Sequence, residues 1–147
     1  MSSMTLVRRI AASPDTVFEL LSTAEGIAQW WGPDGGPVLL SEFEARAGGR
    51  FRLRFRTRSG SEHEVHGEVL ELTRPSRLVL SWNWVENEGE PASRIEMTLH
   101  AVDDGCELVF THALLPDEAT ARGHEKGWSG SLGKLQGAAE RRQDAAR

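Results

Sequence analysis

The histidines, the lone cysteine and the tryptophans are the side chains here with the most to offer chemically, and His112 is the most unusual of them. Asp104-Gly105 is a two-residue turn signal. It aligns Ala101 with Leu108, Leu99 with Phe110, and Met97 with His112 on one face of a hairpin. An imidazole then stands on an otherwise apolar inner surface. A buried imidazole can serve as general acid–base near neutrality. No carboxylate shares its face, however, so a hydrogen-bonded core histidine is the simpler expectation. His63 and His66 are three apart on a strand, which turns them to opposite faces and makes them poor joint metal ligands. Cys106 opens a strand with no base beside it and reads as a buried structural thiol. There is no Gly-rich phosphate loop, no G-x-S-x-G elbow and no H-E-x-x-H pair. No cofactor, no metal and no catalytic constellation are therefore expected.

The tryptophans point to binding instead. Trp82 and Trp84 project from one face of a strand, while Trp30, Trp31 and Trp128 come from helical segments. Large aromatics are ordinary core residues, yet ligand pockets are mostly apolar and aromatic with a few placed polar groups. The expected lining is Trp31, Trp82, Trp84 and Trp128 with the inner-face residues Phe51, Phe55, Met97, Phe110, His112 and Leu132. Trp128 would face Trp84, Met97 and Phe110. Gly123, Gly127, Gly130, Gly133 and Gly137 fall inside the helical C-terminal segment, each costing about 1 kcal/mol against alanine. Close approach to the sheet, a kink, room for a ligand or plain local mobility would each account for them.

These residues need elements to hold them. Thr5 to Ile10 reads as a first strand. Ser13-Pro14-Asp15 opens a helix with Ser13 as N-cap, and Thr23 to Trp31 a second short one. Gly32-Pro33-Asp34-Gly35-Gly36-Pro37 stops it. From Val38 to Ala113 the period changes to two. The expected strands are Val38–Ala45, Arg50–Arg58, His63–Thr73, Arg77–Glu86, Ser93–Val102 and Cys106–Ala113, with Asn87 to Pro91 among the turns between them. Beyond Pro116 the chain is helical to its end, with Ala121, His124, Trp128, Leu132, Leu135 and Ala139 on one stripe. Six strands joined by short turns form an antiparallel meander whose apolar face must be covered. The long helix is what remains to cover it. The expectation is an α+β fold, one domain over residues 1–147, with a curved sheet gripping that helix around an enclosed apolar cavity.

Arg50, Arg52, Arg54, Arg56 and Arg58 form a basic stripe that could meet phosphates. A loop at Ser59-Gly60-Ser61 pairs Arg58 with Glu62, Arg56 with Glu64, Arg54 with His66 and Arg52 with Glu68, neutralising the stripe in place. The same register sets Phe55 beside Val65 and Phe51 beside Val69, and needs a bulge near Gly67 to turn Leu70 and Leu72 inward. With a net charge of -5, nucleic acid is not the expected partner. The hydrophobic fraction of 39% and charged fraction of 27% describe an ordinary globular chain. No apolar run approaches the roughly 20 residues that span a bilayer, and Arg8-Arg9 is not followed by the apolar stretch of an export signal. No membrane insertion and a cytoplasmic, reducing location are expected.

The series as a whole resembles the SRPBCC (START-like, birch-pollen-allergen-like) superfamily, and within it the family named for the activator of the heat-shock-protein-90 ATPase. The carrying stretches are Val7 to Ile10 with Ser13-Pro14-Asp15-Thr16-Val17-Phe18; Ala28-Gln29-Trp30-Trp31-Gly32-Pro33; and Ala47-Gly48-Gly49-Arg50-Phe51. Gly67 to Leu72, Pro75-Ser76-Arg77-Leu78, Trp82, and His124 with Gly127-Trp128, Leu132 and Leu135 complete them. The resemblance implies a helix-grip fold with a cavity between sheet and helix. Similar domains bind lipids, hormones or polyketides and some catalyse cyclisation or dehydration, so fold alone does not settle function. The first expectation is a non-catalytic binder of a hydrophobic, lipid- or polyketide-like small molecule. The alternatives are a cyclase- or hydrolase-type enzyme using His112, and a co-chaperone-like interaction module in which Trp30-Trp31-Gly32-Pro33 offers a homodimer surface.

Overall fold

The computed structural model describes residues 1–87 and 89–146. Strand β1 (Ser2–Ile10) leads into helices α1 (Pro14–Ser22) and α2 (Ala24–Ile27). Six strands follow: β2 (Val38–Phe43), β3 (Arg50–Arg56), β4 (Glu62–Thr73), β5 (Arg77–Trp84), β6 (Ser93–Val102) and β7 (Gly105–Leu115), and helix α3 (Glu118–Ala145) closes the chain. The helix starts are capped as their sequences require: Ser13, Thr23 and Asp117 accept from the backbone N–H groups of Thr16, Gly26 and Thr120. The strands form one antiparallel sheet in the order β1-β7-β6-β5-β4-β3-β2. The meander lies in chain order, and β1 returns to pair with the last strand. Since β1 and β2 are the two edges, α1 and α2 must bridge from one to the other. The curved sheet grips α3, whose buried residues Trp128, Leu132, Leu135 and Ala139 meet a core that includes Leu78, Leu80, Ile95, Leu108 and Phe110.

Both expected hairpin registers are displaced, each in a way that leaves every side chain on its expected face. In β3–β4, Arg56 pairs with Glu62, Arg54 with Glu64, Arg52 with His66 and Phe55 with His63. The loop is Arg58-Ser59-Gly60, closed by Thr57 N donating to Ser61 O at 2.8 Å, with Gly60 at φ 96°. A three-residue hairpin loop ends on a left-handed residue, so glycine takes its last position and not its middle. In β6–β7, Val102 pairs with Gly105, Leu99 with Leu108, Met97 with Phe110 and Ile95 with His112, around Asp103-Asp104. Gly105 serves β1 instead: a Cβ there would lie 2.1 Å from the Ile10 carbonyl oxygen. Moving a pairing by two residues changes partners without exchanging faces.

The expected bulge falls slightly later, between Val69 and Glu71. It leaves Leu70 outside, 44% exposed, and brings Leu72 against the core. Val69 exchanges both backbone hydrogen bonds with Gly48 and Gly49 of the β2–β3 turn, which is where the ladder breaks step. The second helix is shorter than Thr23 to Trp31. After Ile27 the chain tightens into a turn, and both Trp30 (1% exposed) and Trp31 (3%) are buried. Strand β5 stops at Trp84, and Val85–Asn87 form a 3-10 turn where a strand to Glu86 was expected. The expected turn from Asn87 to Pro91 includes residue 88, and the expected helix end includes residue 147; both lie outside the described residues.

Candidate functional site: an aromatic cleft at one end of the grip

A cleft of about 480 Å³ opens where the end of β3, the start of β4 and the end of β5 meet the N-terminal half of α3. Antiparallel pairing brings those three strand ends to one edge of the sheet. Period two then places Trp82 and Trp84 on the cleft side, with Glu86 of the following 3-10 turn and the cross-strand pair Phe55 and His63 beside them. From α3 come Thr120, Gly123, His124, Gly127, Trp128 and Ser131, spaced as one helical face. The Trp31-Gly32-Pro33 segment forms the remaining wall.

The helix holds that segment in place. Ser131 Oγ donates to Gly32 O at 2.7 Å, and Lys134 Nζ to Trp31 O at 3.1 Å and to Asp34 O. Burial pulls the Lys134 ammonium below its ordinary range, partly offset by Asp34. Gly130 permits the approach, since a Cβ there would stand 2.2 Å from the Pro33 carbonyl oxygen. Gly123 and Gly127 do something different. A Cβ at Gly123 would meet nothing within 4 Å, and one at Gly127 only Pro33 Cβ at 3.7 Å. They keep the helix face bare where the cleft needs volume.

The rings pack on one another. Trp31 stacks on Trp82 (5.4 Å, 24°) and meets Trp128 edge-on (5.2 Å, 89°); Trp82 also meets Trp84 edge-on (5.3 Å, 90°). Offset and edge-to-face contacts are the favourable geometries for such rings. Of the residues expected to line a cavity, Trp31, Phe55, Trp82, Trp84 and Trp128 surround the cleft. Phe51, Met97, Phe110, His112 and Leu132 lie in the buried core outside its lining. The enclosed cavity expected between sheet and helix is thus an open cleft at one end, with Leu132, Leu135 and Phe110 packed in the core beyond it.

His112 is 0% exposed and belongs to a directed hydrogen-bond chain. Trp128 Nε1 lies 3.0 Å from His112 Nδ1, and His112 Nε2 lies 2.8 Å from Ser93 Oγ. An indole nitrogen only donates, so Nδ1 accepts and the ring proton sits on Nε2. Nε2–H therefore donates to Ser93 Oγ, which donates onward to Trp82 O at 3.3 Å. Burial, reinforced by His124 at 4.6 Å, pushes the His112 pKa down to about 3. Both nitrogens are engaged inside the wall, which leaves neither for a substrate. This is the hydrogen-bonded core histidine expected, and the alternative of a general acid–base role loses its geometric basis.

The titratable groups on the cleft itself are others. His63 Nδ1 lies 3.0 Å from Glu86 Oε1, and His124 faces the cleft half-buried, its pKa lowered by that burial. Glu86 sits on the 3-10 turn, where strand periodicity does not apply. His63 takes the inner face in either register, and the observed one sets it beside Phe55. His66 points to the opposite face, as the spacing requires. Cys106 is fully buried, its thiol pushed up to about 11 by desolvation.

Arg52, Arg54 and Arg56 of the stripe are paired, each with a partner other than the expected one: Arg54–Glu64 at 3.0 Å, Arg56–Glu62 at 3.2 Å, and Arg52 with Glu42 of β2 at 3.2 Å. Burial of Trp30 and Trp31 removes the surface expected for a homodimer. No helix of the described residues is long and apolar enough to cross a membrane.

Comparison with solved structures finds the same architecture elsewhere. A Chromobacterium violaceum protein is 25% identical at a TM-score of 0.85, covering 95% of this chain and 99% of its own. An AHSA1 protein from Silicibacter pomeroyi is 26% identical at 0.83, covering 92% and 96%. A Rhodobacter sphaeroides protein, 20% identical at 0.82 over 99% and 94%, shares the fold. Comparison with curated proteins finds no match. The family profile described as "Activator of Hsp90 ATPase homolog 1-like protein" matches residues 11–140, nearly the whole helix-grip unit. The chain belongs to that family.

Proposed function

We propose that this protein binds a small hydrophobic molecule in the aromatic cleft, with Trp31, Phe55, Trp82, Trp84 and Trp128 in contact with it. The observation that carries this reading is the cleft's wall: four tryptophans and a phenylalanine around about 480 Å³, inside the 300–1,000 Å³ range of small-molecule sites. Phe51, Met97, Phe110, His112 and Leu132 stand behind those residues and support their positions. A lipid- or polyketide-like molecule, apolar with scattered oxygens, suits such a wall. The test is a thermal-shift and native-mass-spectrometry screen of hydrophobic molecules on the wild type and on Trp84→Ala. Trp84 is only partly buried, so its truncation should weaken binding at least ten-fold while the fold persists. Absence of any bound molecule across the screen would sink the proposal.

One observation favours a second reading, that of an enzyme. The His63–Glu86 pair sets a carboxylate on one imidazole nitrogen at the cleft, the arrangement that orients a histidine for general base work. Turnover of an ester or cyclisable substrate that disappears in Glu86→Gln while ligand binding persists would support it. Unchanged turnover in Glu86→Gln would rule it out.

A further inference from the structure

The hydrogen-bonding groups around the cleft are unevenly engaged. The rim carbonyls of Trp31 and Gly32 already accept from Lys134 and Ser131. Glu86 is held by His63, and Thr57 Oγ1 by Ser59. Trp128 donates to His112, and Trp30, outside the cleft, donates to Leu20 O. The indole N–H groups of Trp31, Trp82 and Trp84 differ: among the described residues none of the three has an acceptor. The Trp82 N–H is buried without a partner and so does not open on the cleft. The Trp31 and Trp84 N–H groups are not among the buried orphans and belong to residues that line it. A donor covered without an acceptor carries a desolvation penalty, so a ligand that covers these two must supply one.

From this we infer that the cleft selects neutral, largely apolar molecules bearing an acceptor oxygen of the ketone or ester type, which the Trp31 and Trp84 indoles recognise by donating to it. The inference rests on the binding reading above and narrows it. A plain hydrocarbon of the same shape would leave both donors unmet. A ligand rich in donors would meet rim carbonyls and a Glu86 oxygen that are already engaged.

Two probes of nearly equal shape separate these cases: acetonaphthone, with a carbonyl, and isopropenylnaphthalene, with a methylene in its place. The five tryptophans report directly through their indole resonances in a nitrogen–proton correlation spectrum, each assigned by its Trp→Phe variant. The expected result is about five-fold or tighter binding of the ketone, as one or two net hydrogen bonds supply. Downfield shifts of the Trp31 or Trp84 indole protons should appear with the ketone and not with the hydrocarbon. Trp84→Phe at a half-buried position should reduce the preference and Trp31→Phe likewise, and the wild-type spectra stand regardless. Equal affinities, or indole protons that do not respond to the ketone, overturn acceptor recognition and leave hydrophobic binding intact. Failure of both probes, together with an empty hydrophobic screen, overturns both.

Discussion

Protonating His112 would set an N–H against the Trp128 indole N–H and place a charge where no water reaches. Unfolded histidine takes up its proton near pH 6.5, whereas the folded ring resists until about 3. Between those values the unfolded state binds more protons, so stability falls as pH falls, by about 1.4 kcal/mol per unit from this one group. His124, also depressed by burial, adds to the same slope. Denaturant unfolding across that window should show it. His112→Gln keeps an acceptor and a donor but cannot titrate, so its profile should be flatter by about that amount. Trp128 can be dissected likewise. Trp128→Phe removes the donor and part of the ring and should cost at least about 1–3 kcal/mol, the penalty of an unsatisfied buried acceptor. Trp128→Ala should cost about 3–5 kcal/mol and should also weaken ligand binding more than an equally destabilising change in β1.

At the scale of the element, α3 performs two tasks along its length. Its C-terminal half is core, through Leu132, Leu135, Ala138 and Ala139. Its N-terminal half is cleft wall and carries glycines where alanine would make a better helix. The same substitution should therefore have opposite signs at two positions in one helix. Gly123→Ala places its methyl in open space and should stabilise by about 0.5–1 kcal/mol. Gly123→Leu should fill the cleft and lower ligand affinity while the fold holds. Gly130→Ala drives a methyl into the Pro33 carbonyl and should destabilise by about 1–3 kcal/mol as the Trp31–Pro33 wall is displaced. Unfolding midpoints of the three variants decide this directly. Gly130→Ala should also lower ligand affinity, because Trp31 belongs to the displaced segment.

For the whole molecule, cleft and core share one aromatic cluster, running from Trp84 through Trp82 and Trp31 to Trp128 and Phe110. Occupying the cleft should therefore stabilise the entire fold. A ligand at one hundred times its Kd should add about 2.7 kcal/mol by mass action. Hydrogen exchange should slow mainly in the N-terminal half of α3 and in the Trp31–Pro33 segment, the walls without packed side chains opposite them. Uniform slowing across the sheet with no effect on these walls would place the binding elsewhere.

What the sequence by itself determined was which face each side chain would take. Period two in the strands and a 3.6 repeat in α3 put Phe51, Phe55, Trp82, Met97, Phe110 and Trp128 inside and the arginines outside. That outcome survived two shifted registers because each shift was by two residues. The element order, the cap at Ser13 and the helix covering the sheet were legible for the same reason: each is set by neighbours within a few positions. Only the tertiary structure decided which inner-face residues would border open space. Trp82 and Phe110 carry the same pattern, yet Trp82 lies beside Gly123 and Gly127 while Phe110 meets Trp128 at 4.6 Å. His112 and His63 likewise both face inward, but Trp128 and Ser93, distant in the chain, bind the first into the wall. A loop closing one residue early brings the second beside Phe55. Periodicity reports the side of a surface. Whether that side is filled depends on what arrives opposite, and residues far apart in the chain supply it.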